Sequence, residues 1–95
     1  MLDLYDNQIG VEGAKAIGAA LRVNSVLTSL NLAGNPYGYS SDGRIGPEGA
    51  KAIAEALKVN SVLTSLDIRW NGLGEAGEVL LRDAVNSKPG FALQM

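Results

Sequence analysis

Cysteine and histidine are both missing from this chain of 95 residues. Their absence excludes disulfide frameworks, thiolate and imidazole metal ligands, and catalytic pairs built on either side chain. Basic charge is not in excess either: eight lysines and arginines stand against ten acidic residues, a formal net charge of −2. No basic field is available to hold phosphates, so nucleic acid is not the expected partner, and adsorption to an anionic membrane is disfavoured for the same reason. The opening Met1-Leu2-Asp3-Leu4-Tyr5-Asp6 lacks the basic stretch and apolar core of a signal peptide, and no apolar run approaches membrane-spanning length. No membrane insertion is expected, and the expected location is intracellular, with the cytoplasm as the default and an organelle left open should targeting segments lie outside this sequence. The length allows one domain, residues 1–95, with a small core. A composition of 46% hydrophobic and 19% charged residues is that of a globular chain and not of a disordered one.

What the chain does have is repetition. The octapeptide from Val23 to Leu30 recurs letter for letter from Val59 to Leu66. Leu2 to Asn7, Leu30 to Asn35 and Leu66 to Asn71 all read LxLxxN, with Ile68 in one apolar slot. Asn7 to Asn35 is 28 residues and Gly46 to Gly74 is again 28, whereas Asn35 to Asn71 is 36, so eight residues have been added within 36–44. The units run about 1–26, 27–62 and 63–90, with 91–95 as a C-terminal cap. Units of this size hide their apolar faces only by stacking on their neighbours, which makes a solenoid with an extended surface suited to binding.

Each unit alternates two periodicities. L-x-L is a short strand with two side chains inward and one outward. A helix follows: Pro47 suits its first turn, Glu48 complements its positive N-terminus, and Ala50, Ile53, Ala54 and Leu57 form a buried stripe at i, i+3, i+4, i+7. Ala14, Ile17, Gly18 and Leu21 repeat that stripe one unit earlier, and Lys15 and Lys51 fall off it, toward solvent.

The pattern LxxLxLxxNxIG, followed by EGAKAIxxAL and a VNS turn, resembles the leucine-rich repeat of ribonuclease-inhibitor type, which also forms the sensor arms of NOD-like receptors. The resemblance runs from Leu2 to about Val85. It implies an α/β leucine-rich-repeat solenoid: a right-handed βα horseshoe segment of about three repeats, with parallel strands on the concave face and helices on the convex face. It further implies a protein that binds protein partners through the concave face and its loops, without fixing which partners. Asn7, Asn35 and Asn71 are expected to be buried, supplying hydrogen bonds where the chain bends after each strand.

At the N-terminal end the first unit lacks the LxT lead-in that Leu27-Thr28-Ser29 and Leu63-Thr64-Ser65 give the others, so its strand edge is expected to meet upstream repeats or a partner chain. At the other end Glu78 and Arg82 stand where earlier helices carry Ala14 or Ala50 and Gly18 or Ala54. Charge at stacking positions suits a terminal repeat, and the two are spaced for an i, i+4 pair. Beyond Lys88-Pro89-Gly90, the alternating Phe91 to Met95 suits a last short strand, the alternative being a frayed tail.

Gly72-Leu73-Gly74-Glu75-Ala76-Gly77 spells the dinucleotide fingerprint, yet Gly74 and Gly77 are ordinary repeat positions, aligned with Gly46 and Gly49 and with Gly10 and Gly13, so no cofactor is expected. The better candidates are outward strand positions. Alternation puts Asp3, Asn31 and Asp67 in one row, Ser29 and Ser65 beside them, and Tyr5, Ala33 and Arg69 in the next, with Trp70 at the rim. Tyrosine, tryptophan and arginine dominate binding energy at protein interfaces. Two carboxylates in a row are too few for a metal site. The insertion adds Tyr37, Tyr39, Asp42 and Arg44 to a loop whose tyrosines among glycines and serines resemble adaptable binding loops, although a tolerated insertion would look the same. No enzyme is expected, since a shallow sheet offers no cleft across which two acids could face each other. The expected function is protein interaction, by the C-terminal part of a longer repeat protein. The alternative is a small structural subunit of a large assembly.

Overall fold

A computed structural model describes residues 2–4, 9–34 and 44–95, with Asp3 seen through its backbone alone. Strands and helices alternate as β1 (Leu2–Asp3), α1 (Gly10–Val23), β2 (Ser29–Asn31), α2 (Gly46–Val59), β3 (Ser65–Asp67), α3 (Gly74–Val85) and β4 (Ala92–Gln94). All strands are parallel and lie in chain order, β1-β2-β3-β4, with α1 against α2 and α2 against α3. The tail after Pro89 therefore forms a strand that covers β3, with Phe91, Leu93 and Met95 against the core.

Register explains the core. Leu30 pairs with Leu66 and Leu66 with Leu93, and one rung later Leu4, Leu32 and Ile68 each donate a backbone hydrogen bond to the next strand. Equivalent leucines thus pile in layers. Leu30, Leu32, Leu66 and Ile68 are at most 1% exposed, and burying such side chains stabilises by roughly 1.5–3 kcal/mol each. The helical stripe meets them from the other side: Ala50, Ile53, Ala54 and Leu57 are buried, as are Ala14, Gly18 and Leu21, while Ile17 is partly buried against the core.

Glycine serves two needs here. Gly10, Gly46 and Gly74 open α1, α2 and α3 at φ of 70°, 69° and 68°, the left-handed region that costs other residues strain. Gly18 instead allows close helix contact, since a Cβ there would lie 2.9 Å from the carbonyl oxygen of Ala52.

Two asparagine systems tie coil to coil. Asn71 is buried, and its Nδ2 donates to the carbonyls of Leu32, Ile68 and Arg69. At the opposite edge Asn60 donates through Nδ2 to Leu21 (2.8 Å) and Asn24 (3.2 Å), while its Oδ1 accepts the N–H groups of Val62 and Leu63. Leu21 lies in the last turn of α1, so the following coil satisfies a carbonyl that the helix itself leaves open. In the aligned position one coil on, Lys88 Nζ donates to the carbonyl of Asn60 at 2.7 Å. Asn7 and Asn35 lie outside the described residues.

The outer face of α3 bears the expected ion pair, Arg82 to Glu78 at 3.2 Å. No helix among the described residues is long and apolar enough to cross a membrane.

Candidate functional site

The parallel register brings the outward strand positions into rows. Ser29, Ser65 and Ala92 form one, and Asn31, Asp67 and Gln94 the next, in line with the backbone of Asp3. Each row alternates with buried Leu30 and Leu66, so the side chains point away from the helices. Ala92 and Gln94 extend the rows beyond what alternation within the repeats indicated. The alternating Phe91 to Met95 was the available signal, but the pairing that places Gln94 beside Asp67 is a tertiary fact.

These polar side chains also shape the turns. Asn31 Oδ1 accepts the N–H of Ala33 at 3.0 Å and Asp67 Oδ1 that of Arg69 at 3.1 Å, each bending the chain two residues after its strand position. This bend corrects one expectation: Ala33 is not outward but buried, because β2 ends at Asn31 and strict alternation ends with it.

Beyond β3 lies a surface cluster of a carboxylate, a guanidinium and an indole. Arg69 Nε donates to Asp67 Oδ1 at 2.9 Å and its Nη2 to Oδ2 at 2.8 Å, a two-point, charge-assisted contact. The guanidinium carbon lies 4.6 Å from the centroid of the Trp70 ring, within cation–π range. Trp70 has φ of 57° and remains 44% exposed. A bulky residue in the left-handed region is strained and marks a place where structure overrides local preference. Its counterpart one coil earlier is Gly34, where a Cβ would overlap the Trp70 carbonyl oxygen. Bulk is excluded at that level in the second coil and presented in the third. The two-point contact and the stacking restrict Asp67, Arg69 and Trp70 relative to side chains free in solvent.

Arg44 is exposed, and its Cδ lies 3.2 Å from where a Gly72 Cβ would be, which sets it over the loop two residues beyond Trp70. Of the other expected contact residues, Tyr5, Tyr37, Tyr39 and Asp42 and the side chain of Asp3 lie outside the described residues. Among the described residues no three acidic side chains converge as metal ligands would. The glycines of the apparent nucleotide fingerprint have scaffold roles: Gly72 and Gly74 adopt positive φ, and a Cβ at Gly77 would press on Ala50 and the backbone of Pro47.

Set beside known protein families, the chain matches the family described as Leucine Rich repeat over residues 2–18, 23–36, 41–54 and 59–77. None of the curated proteins matches it.

Proposed function

From the premise that this chain belongs to the leucine-rich repeat family, whose repeats generally mediate protein–protein interaction, we propose that it is a non-catalytic binding module. Its contact surface comprises the Ser29/Ser65 and Asn31/Asp67 rows, the Arg69–Trp70 rim and Arg44. The observation that carries this reading is the Asp67–Arg69–Trp70 cluster, an exposed aromatic stacked on a guanidinium that a carboxylate grips at two points. Rigid tryptophan and arginine anchors on a polar field are the composition of an interface hot spot. The repeats are of ribonuclease-inhibitor type, as the EGAKAI and VNS segments support. The chain forms the C-terminal part of such a protein, for which the charged outer face of α3 and the covering strand β4 are the support.

Trp70→Gly tests this reading. Glycine accepts a positive φ, so relief of strain offsets the lost ring contact and fold stability should change by less than about 1 kcal/mol. Proteins retained from a cell extract by the wild-type chain should be lost, and for a purified partner Kd should rise about 30-fold, the scale of a 2 kcal/mol hot spot. Equal retention and equal Kd would remove the cluster from the interface.

The second reading, a subunit held within a larger assembly, has its own observation. Leu2 is 43% exposed on β1, and Gly13 and Ala16 on α1 correspond to Gly49 and Ala52, which seat α2 on α1. Light scattering across concentration separates the readings: self-association abolished by Ala16→Glu favours the stacked subunit, and a stable monomer favours the recognition module.

A further inference from the structure

The convex surface changes character at α3. Between α1 and α2 it is bridged by charge, Lys15 Nζ lying 3.7 Å from Glu12 and 4.0 Å from Glu48. One coil on, the residues aligned with Glu48, Lys51 and Ala52 are Ala76, Val79 and Leu80. Lys51, the counterpart of Lys15, is therefore opposed by an alanine where Lys15 is opposed by a carboxylate, and it makes no ion pair with a described residue. Val79 is 44% exposed although both of its counterparts are lysines. Glu75, Ala76, Val79 and Leu80 line a shallow, open and mostly apolar depression on one side of α3.

We propose that this depression and Lys51 form a second docking surface, separate from the concave face, for a partner-protein segment that carries an aliphatic or aromatic side chain next to a carboxylate. Charge complementarity selects that occupant. Its apolar side chain fills the hollow over Ala76 and Val79, and its carboxylate takes the place over Lys51 that Glu48 holds over Lys15. Glu75, in the first turn of α3, complements the helix N-terminus and repels a second carboxylate beside it, which confines the partner's acid to the Lys51 side.

The probe is an acetylated, amidated tetrapeptide of alternating glutamate and leucine, titrated into the full chain and followed by amide chemical shifts. Shifts should be confined to Lys51 and the first two turns of α3, and the lysine-for-glutamate peptide should bind about two- to fivefold more weakly, the scale of one exposed ion pair. Ala76→Glu rebuilds within the chain the acid that Lys15 has, and Val79→Gln replaces the apolar wall of the hollow by an uncharged polar one; each should weaken binding about two- to fivefold. Glu48 already stands at the aligned position of α2, and Val79 is 44% exposed on a helix that glutamine suits, so folding is preserved. Lys51→Glu should reverse the preference between the two peptides. Absent shifts, shifts spread over the concave rows, equal binding of both peptides, or indifference to Ala76→Glu and Val79→Gln would each overturn the proposal.

Discussion

Two asparagines in identical octapeptides should differ sharply in what they contribute to stability. Asn60 is 3% exposed, whereas Asn24 is exposed, although both use Oδ1 to accept the N–H groups two and three residues on. Only Asn60 also reaches back, to the carbonyls of Leu21 and Asn24. Asn60→Ala leaves the Leu21 carbonyl and the Leu63 N–H buried without partners, and each such group costs about 1–3 kcal/mol. The groups of Val62 and Asn24 are only part-buried and recover water. A loss of about 3 kcal/mol follows, a large share of the roughly 5–14 kcal/mol that 0.05–0.15 kcal/mol per residue gives a chain of this length. Asn24→Ala frees two N–H groups that water can reach and should cost about 0.5–1 kcal/mol. Urea unfolding followed by far-ultraviolet circular dichroism and by Trp70 fluorescence measures both. With slopes of about 1–3 kcal/mol per molar, the Asn60→Ala midpoint should fall by about 1 M or more and the Asn24→Ala midpoint by a fraction of that. Equal midpoints for the two variants would refute the reasoning, since they would show that burial of the coil-to-coil bonds adds nothing.

Gly46→Ala should lower stability by roughly 1–2 kcal/mol through backbone strain alone, because φ is 69° and an added Cβ meets nothing within 4 Å; a smaller loss by urea titration would show that the helix start relaxes. Deleting residues 91–95 strips β4 from the sheet and uncovers Phe91, Leu93 and Met95 contacts, so stability should fall by about 3 kcal/mol, read as a lower thermal midpoint. Glu78→Gln removes a pair whose side chains are 39% and 61% exposed and should cost no more than a few tenths of a kcal/mol; a larger loss would mean that the outer face of α3 is covered by something.

Much of the architecture was legible because its periodicities are physical. Leucines two apart in Leu30-Asn31-Leu32 must share a face of a strand, and Ala50, Ile53, Ala54 and Leu57 must share a face of a helix; all of these leucines and stripe residues are buried. The paired role of Asn71 was legible too, since a bend inside a stack leaves backbone groups in need of partners. What escaped depended on the third dimension. Asn24 and Asn60 have the same neighbours in sequence and differ only in which coil lies beside them. Ala33 follows an alternation that its own N–H has already ended by donating to Asn31 Oδ1. The hold of Asp67 on Arg69 and the left-handed backbone of Trp70 need geometry that residue type does not specify, and Gln94 joins its row only through strand pairing.

The backward reach of Asn60 and Lys88 gives the molecule a direction in time. A ribosome delivers the coils from the first to the last, and the end of α1 receives its side-chain donor only when residue 60 has emerged, just as the carbonyl of Asn60 waits for residue 88. Maturation of each layer during synthesis therefore lags one turn behind elongation, and the nascent protein always exposes one unfinished helix end at its growing tip.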